Sequence, residues 1–189
     1  MSGLLIPNKD LPSLYKARPG DSLSSVARAR TLAVLSRLDG DRKASVVRFL
    51  AEADLIERDN PVLSLARANL RGASLSGAYL YGTRLTLANL GEANLSGAVL
   101  ATAHLDRADL AGADLTDANL ADANLAGAYL GEAKLMRADL RDADLRGADL
   151  RGARGQPLTW KAQARSLKGA TMPNGLKYEK WLKTPEGQN

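Results

Sequence analysis

The sequence predicts an all-β solenoid with helical segments at both ends, and three observations predict it. Leucine occurs at every fifth position from Leu65 to Leu150, without a gap. Two residues before each of these leucines stands an alanine, except for Leu63 and Thr83. The other three positions of each five are mostly polar or glycine. A short unit repeated this strictly is typical of a solenoid, in which each turn contacts only its neighbours.

A period of five fits neither a regular helix nor a flat strand. Five residues of an α-helix rotate by about 140°, so the leucines would spiral around all sides. On a flat strand they would alternate between the two faces. A chain that turns a corner every five residues points each leucine inward, together with the alanine two positions earlier. Glycine recurs two residues after leucine, as at Gly72 and Gly112, where a corner needs permissive backbone angles. The period alone does not distinguish three corners per turn from four.

The repeated motif, A-(D/N)-L-x-x, resembles that of the pentapeptide-repeat family. It stands clearly in the ten residues from Ala108 to Asp117, which read ADLAGADLTD. The resemblance covers about half of the chain and implies a right-handed quadrilateral β-helix with four units per coil. Residues twenty apart are then expected to stack at about 4.8 Å, the spacing of neighbouring strands.

Two helices are expected between Asp21 and Leu55, joined by a turn at Asp39 and Gly40. Asp41 is expected to cap the second helix. The predicted buried stripe of this second helix comprises Val46, Val47, Phe49, Leu50 and Leu55. We expect this helical hairpin to cover the first coil, because an open solenoid end exposes apolar core and unpaired strand edges.

The stretch from Ala27 to Leu50 also resembles the leader segment of a bacterial subset of the same family. In that subset the leader often follows a membrane-anchoring region. No apolar stretch here approaches the roughly 18 residues of a membrane span, so none is predicted in this chain.

The repeat breaks after Ala153. Thr159 is expected to cap a short helix that runs to about Ser166 and carries Trp160 on its apolar side. Leu167 and Met172 then resume the five-residue spacing, with the register slipped by two residues.

Trp160, Leu167 and Met172 are therefore predicted either to close the rod or to contact a second chain. The second alternative is implied by the resemblance, since topoisomerase inhibitors of the family dimerise through their C-terminal ends. Tyr178, Trp181 and Leu182, the large apolar side chains of the tail, are expected to fold back on the rod. Residues 184–189 are expected to fray.

The chain divides into three predicted segments: an N-terminal segment with its helical cap (1–60), the repeat (61–153), and a C-terminal cap with a basic tail (154–189). The net charge is +5. The repeat carries nine basic and eleven acidic residues, whereas the tail carries seven and two. Because the excess lies in the tail and the rod is nearly neutral, binding of nucleic acid is not expected.

The sequence offers no residue set for catalysis, a cofactor or a metal. There is no cysteine, which excludes disulfides, thiolate chemistry and zinc sites that use sulfur. His104 is the only histidine and is expected on the surface. The resemblance implies that aspartate and asparagine before leucine serve solubility and local hydrogen bonds. The chain is therefore predicted not to be an enzyme, and its lack of cysteine and of a secretory signal favours the cytoplasm.

Tyr79, Tyr81, Leu87 and Val99 are expected to form an outward apolar patch on the first coils. Either the leader helices or their connection cover it, or it is a protein contact surface. The predicted function is a non-enzymatic protein–protein interaction or scaffold role with an unidentified partner. The alternative, implied by the family, is a DNA-mimicking inhibitor of a type II topoisomerase (gyrase). The chain is expected to be a monomer or a homodimer joined at its C-terminal end.

Overall fold

The computed structural model describes residue 18 and residues 20–56 and 61–188. Residues 1–17 of the predicted N-terminal segment lie outside this part of the chain. The described helices are α1 (Ser22–Leu35), α2 (Gly40–Glu52), α3 (Pro157–Gln163), α4 (Tyr178–Trp181) and α5 (Pro185–Gln188). Between α2 and α3 the chain winds as a rod of stacked coils.

Each coil holds twenty residues and therefore four sides. Parallel bridges join residues twenty apart, from Asn69 and Asn89 to Lys134 and Arg154. Each side is only long enough for one bridge residue, which is the residue before leucine. We name the sides by their first leucine, so that face A begins at Leu65, face B at Leu70, face C at Leu75 and face D at Leu80, and each recurs every twenty residues. The prediction of four units per coil is confirmed by this register.

The corners explain the glycines. At each corner the alanine N–H donates to the leucine carbonyl three residues earlier, as from Ala113 to Leu110 at 3.0 Å. The residue two after leucine has a positive φ throughout the repeat, which is the backbone of a type II turn. Glycine adopts it freely, but residues such as Asp117 (φ 58°) also do. Hydrogen bonds to the neighbouring coils hold these non-glycine residues in the left-handed backbone region, which costs them conformational free energy.

The interior of the rod is filled by the predicted leucines and alanines. All eighteen leucines from Leu65 to Leu150 are buried, with at most 2% of their surface exposed. Burial of one leucine side chain contributes about 2 kcal/mol, so this column is the main source of stability.

Thr83 is the one exception to alanine within the stacked coils that introduces a polar atom into the core. Its side chain is fully buried, and its hydroxyl has no hydrogen-bond partner among the described residues. An unpaired buried hydroxyl costs about 1–3 kcal/mol. We expect Thr83→Val, which keeps the volume and removes the hydroxyl, to raise the free energy of unfolding by about 1 kcal/mol in a urea titration. A loss of stability in this variant would show that the hydroxyl is satisfied.

The N-terminal hairpin forms as predicted, with two corrections. Asp39, not Asp41, is the N-cap of α2, because its side chain accepts from the Arg42 N–H at 2.9 Å; Asp41 lies in the first turn. Phe49 does not belong to the buried stripe, since 45% of it is exposed. It follows the buried Val47 by two residues, which places it about 200° around the helix.

Cationic side chains from the hairpin close the N-terminal edge of the first coil. Backbone carbonyls at such an edge lack the coil that would otherwise donate to them. The donors are Arg28 to the carbonyls of Ser64 and Ala66, Lys43 to that of Arg71, and Arg48 to those of Ser74 and Ser76, at 2.8–3.2 Å. The hairpin thus satisfies these five carbonyls of the first coil through side chains.

At the C-terminal end, α3 replaces one side of the last coil. It takes the place of face D, where Gln163 accepts hydrogen bonds from the N–H groups of Leu140 and Asp142. Re-entry onto face A occurs at Ser166, which bridges Asp144 twenty-two residues earlier. The predicted two-residue slip in register therefore arises because the segment that contains α3 is two residues longer than a regular side of the coil.

Two details of the C-terminal prediction are wrong. The N-cap of α3 is Gln156, followed by Pro157, so Thr159 lies inside the helix instead of capping it. Residues 185–188 are ordered as α5, and the Lys161 ammonium donates to the Gly187 carbonyl at 2.7 Å. The expected fraying thus fails for the described residues of the tail.

Candidate functional site

Face D differs from the other faces of the rod in its first two coils. Its outward positions there include aromatic and aliphatic residues and no charged side chain, whereas face A carries Arg67 and Arg84, face B carries Arg71 and Glu92, and face C carries only serine, asparagine and glycine. The outward residues of face D in these coils are Tyr79, Tyr81, Gly82, Val99, Ala101 and Thr102. In the third coil the face is charged, since Asp122 is exposed and pairs with Arg165. An uncharged strip on a chain with 25% charged residues is a candidate contact surface.

Two stacked tyrosines lie at the N-terminal end of this strip. The rings of Tyr79 and Tyr81 are 6.3 Å apart and nearly parallel, at 17°. Tyr79 is 54% exposed, and it pairs across the coils with the half-buried Val99. We call these three residues the tyrosine patch. Because each ring restrains the other, the patch presents aromatic surface with little conformational entropy to lose on binding.

Leu87 does not join this patch, contrary to the sequence-based expectation. It is 42% exposed, but it occupies the corner between faces A and B, where its φ is 59°. A residue two positions after the leucine of face A points away from face D, so the whole of face A separates Leu87 from Tyr81.

The hairpin borders the tyrosine patch without covering it. An open cleft of about 420 Å³ separates the end of α2 from the edge of face D. Its walls are Arg48, Ala51, Glu52 and Asp54 on one side and Gly77, Ala78 and Tyr79 on the other. The alternative in which the leader helices bury the patch is therefore wrong for Tyr79.

Sequence reasoning missed a second exposed tyrosine. Tyr129 stands before a leucine on face B and is 57% exposed. It bridges Asp109 and Asp149 on the neighbouring coils. The same position before leucine that drew attention to Tyr79 would have identified it. Its charged neighbours make it a poor docking surface and a good control for Tyr79.

The three residues predicted for the C-terminal cap or a dimer contact are all buried within the single chain. Trp160, Leu167 and Met172 lie in the core. The indole of Trp160 packs so closely on Gly155 that a Cβ there would lie 2.5 Å from Cζ2. Side chains buried in this way are not accessible to a second copy.

Aspartate and asparagine residues before leucine make local hydrogen bonds, as the resemblance implies. Their Oδ1 accepts from the backbone N–H two residues later, as in Asp109 to Ala111 at 3.1 Å. Opposite charges also stack as the twenty-residue coil requires. Lys134 lies 3.0 Å from Asp114, and Arg137 lies 2.6 Å from Asp117. These contacts satisfy the charged side chains that they join.

Three ion pairs of the same form surround the last full coil. In each, an aspartate before leucine is bound by the arginine two residues later, at 2.5–2.6 Å. The pairs are Asp139–Arg141, Asp144–Arg146 and Asp149–Arg151. The guanidinium hydrogen bonds lower the pKa of all three carboxyl groups, and the Coulomb attraction lowers it further.

These lowered pKa values predict a loss of stability in acid. A carboxyl group with a lowered pKa in the folded state stabilises the fold fully above its ordinary pKa near 4. That contribution is lost as the pH falls through the lowered value. We expect the double variant Asp144→Asn/Asp149→Asn to lose stability less steeply than the parent between pH 5 and pH 2, as measured by urea unfolding. Asparagine keeps the Oδ1 acceptor, so an unchanged slope would mean that these pairs do not contribute.

Within residues 20–56 and 61–188, no three histidine or acidic side chains come close enough to hold a metal ion. His104 is exposed between Arg84 and Asn124, as predicted from the twenty-residue spacing. None of the helices in the described part of the chain is long and apolar enough to cross a membrane.

The family model for pentapeptide repeats matches eight copies of the repeat, over residues 64–101, 83–120 and 118–154. No curated protein is significantly similar to the chain. Several solved structures are similar to it. A pentapeptide repeat protein from Nostoc PCC 7120 is 32% identical, over 57% of this chain and 85% of that one, with a TM-score of 0.39.

Two further solved structures are matched over a smaller share of their own length. A pentapeptide repeat protein from the thylakoid lumen of Arabidopsis thaliana is 30% identical over 54% of this chain, with a TM-score of 0.36. QnrB1, a plasmid-mediated fluoroquinolone resistance protein, is 20% identical over 64% of this chain, with a TM-score of 0.41. The chain spans 63% and 64% of these two proteins, less than two thirds of each.

The repeat motif, the twenty-residue coil and the match to the Nostoc protein agree with one another. The chain belongs to the pentapeptide-repeat family, whose members fold as right-handed quadrilateral β-helices.

Proposed function

We propose that the chain is a non-enzymatic protein-interaction or scaffold protein, and that it binds its partner through the tyrosine patch. One observation carries this proposal: the exposed Tyr79 stacks on the half-buried Tyr81, and both lie on the face whose first two coils carry aromatic and aliphatic outward residues and no charge. Tyrosine is enriched at binding hot spots because it combines apolar area with a hydroxyl group. A rod with a packed core offers surfaces of this kind to a partner.

The rod also supports such a role mechanically. Neighbouring coils are joined by backbone hydrogen bonds of 2.7–3.1 Å, so the patch is presented on a rigid frame. Little rearrangement is then required on binding, and affinity is not lost to ordering of the surface. The cytoplasmic location stays a prediction that rests on the cysteine-free sequence.

The experiment is capture of partners from a native lysate by the immobilised full chain. We expect Tyr79→Ala/Tyr81→Ala to lose at least nine tenths of a specifically retained protein. Tyr129→Ala removes an equally exposed tyrosine from face B and should retain it. Equal retention by both variants would reject the patch as the contact surface.

The gyrase alternative is not supported by the charge of the faces. Mimicry of DNA requires a continuous acidic face. The most acidic face, B, carries four carboxylates, but Arg71 and Arg151 lie on it as well, and Arg151 pairs with Asp149. We therefore expect no inhibition of gyrase supercoiling at micromolar chain. Inhibition at that concentration would restore the alternative.

A further inference from the structure

The C-terminal end of the rod has a cleft of its own, at the corner between faces C and D of the fourth coil. It has a volume of about 350 Å³ and lies where α3 leaves the rod. Residues 135–138 of the corner form one wall, and Gln156, Thr159 and Trp160 form the other. Three coils, or about 14 Å along the rod, separate this cleft from Tyr79, so it is distinct from the tyrosine patch.

The cleft arises because α3 diverts a hydrogen bond that the earlier coils make at this corner. There the residue two after leucine donates its N–H to the next coil, as from Asp117 to the Met136 carbonyl at 3.0 Å. The equivalent acceptor for Arg137 is the Gln156 carbonyl. That carbonyl instead accepts from the Trp160 N–H at 3.1 Å, in the first turn of α3. The next coil is fully described at this corner, and the Arg137 N–H faces the cleft without an acceptor from it.

The other polar groups of the walls are also donors. The Thr159 hydroxyl donates to Oε1 of Gln156 at 3.1 Å, which leaves the side-chain NH₂ group of Gln156 to face a ligand. None of the residues that line the cleft is acidic, in contrast to the cleft beside Tyr79, whose walls include Glu52 and Asp54. A ligand of the C-terminal cleft must therefore supply hydrogen-bond acceptors.

The rim of the cleft is cationic. Arg154 precedes Gln156 by two residues on face C, so the two side chains leave the chain on the same side. In the same column Lys134 bonds to Asp114 at 3.0 Å, whereas the exposed Arg154 has no carboxylate partner among the described residues. A guanidinium beside neutral donors favours a carboxylate ligand, which it can bind with two hydrogen bonds.

Apolar side chains supply the rest of the walls. They belong to Leu135, Met136, Ala138 and Trp160, and Met136 is 36% exposed. Methionine adapts its shape to an apolar partner, and a purely polar anion such as phosphate would leave it uncovered. The volume is at the small end of the range for ligand sites, which suits a single terminal residue better than a long segment.

We propose that this cleft binds the C-terminal residue of a partner polypeptide. The terminal carboxylate accepts from the Arg137 N–H and the Gln156 amide, and it lies close to Arg154. The last side chain is aliphatic and lies against Met136. Capture of a terminal carboxylate by backbone N–H groups is a recurring mode of peptide recognition. The site goes beyond the proposed function, because it needs neither the tyrosine patch nor the partner of that patch.

The experiment is an NMR titration of the nitrogen-15-labelled full chain with synthetic peptides. The probes are acetyl-GSGL with a free carboxylate and the same peptide with a C-terminal amide. We expect the first to shift the Arg137 amide signal to saturation and to bind at least about tenfold more tightly than the second, because charge-assisted hydrogen bonds are the stronger ones. Replacement of the last leucine by glycine should weaken binding about fivefold, through the lost apolar contact.

Matched variants separate this site from a general attraction of anions. Arg154→Gln should weaken binding of the carboxylate peptide about fivefold and leave the amide peptide unchanged. Lys168→Gln removes an exposed cation from face A at the same end of the rod and should change affinity less than twofold. Met136→Glu should abolish binding, whereas Met136→Leu should preserve it. All four changes are at surface positions, so an unchanged melting temperature verifies that each variant is folded.

Equal affinity of the two peptides, or shifts that leave out the Arg137 amide, would overturn the proposal. So would equal losses in Lys168→Gln and Arg154→Gln. If neither peptide binds and the Arg137 amide is already protected from hydrogen exchange, the chain's own residues fill the cleft and the proposal is wrong. If the Arg137 signal shifts with chain concentration alone, the occupant is a second copy, and a partner's terminus is wrong.

Discussion

Leu110→Asp is expected to abolish folding. Leu110 is fully buried in the middle of the rod, with coils above and below it. An unpaired carboxylate there costs several kcal/mol, which is comparable to the whole stability of a typical domain, about 5–15 kcal/mol. The measurement is thermal unfolding followed by circular dichroism, in which the variant should show no cooperative transition.

The neighbouring residue offers a matched control for this change. Ala111 is exposed, so Ala111→Asp places the same charge one position along the chain and outside the core. We expect it to melt within a few degrees of the parent. A Leu110→Asp variant that unfolds at the parent temperature would refute the inward orientation of the leucines.

Truncation after Ala153 is expected to convert the chain into aggregates or longer species in size-exclusion chromatography. It removes Trp160, Leu167 and Met172 from above the last coils. It also removes the backbone acceptors of that edge, such as the Ser166 carbonyl bonded by Leu145 at 2.9 Å. The exposed strand edge and core are then free to pair with other chains.

A chain that ends after Leu182 is the control, because it keeps α3, α4 and the buried Trp181. We expect it to elute as the parent does. If the longer truncation instead turned a dimeric parent into a soluble monomer, the C-terminal segment would be a dimer arm. An unchanged oligomeric state would contradict both readings of this segment.

Much of the fold could be predicted because the repeat is strictly local. The leucine period defines the inward positions, and the four-unit coil implied by the family then places Asp114 against Lys134. The contacts that close the two ends of the rod could not be predicted from the repeat. Arg28 reaches Ala66 across 38 residues, and no local pattern marks that contact. Thr159 carries a capping side chain, yet Pro157 starts the helix earlier because its fixed φ suits the first turn.

The candidate site was predicted in part for the same reason. Tyr79, Tyr81 and Val99 were assigned to one face by the register, and the structure places them together. Leu87 was misassigned because a corner residue belongs to two faces, and its direction depends on the turn. The contacts of the hairpin with the first coil could not be foreseen, since they depend on which carbonyls its arginine and lysine side chains reach.

The twenty-residue coil is the claim on which the tyrosine patch depends, and cysteine pairs test it directly in a chain with no cysteine of its own. Asn94 and Asp114 are bridge partners on face C, whereas Asp109, fifteen residues after Asn94, lies on face B. Neighbouring strands are about 4.8 Å apart, within the range that a disulfide can span. Under mild oxidation, Asn94→Cys/Asp114→Cys should form an intramolecular disulfide, and Asn94→Cys/Asp109→Cys should stay reduced. Cross-linking of the fifteen-residue pair but not of the twenty-residue pair would mean a three-sided coil and would contradict the account.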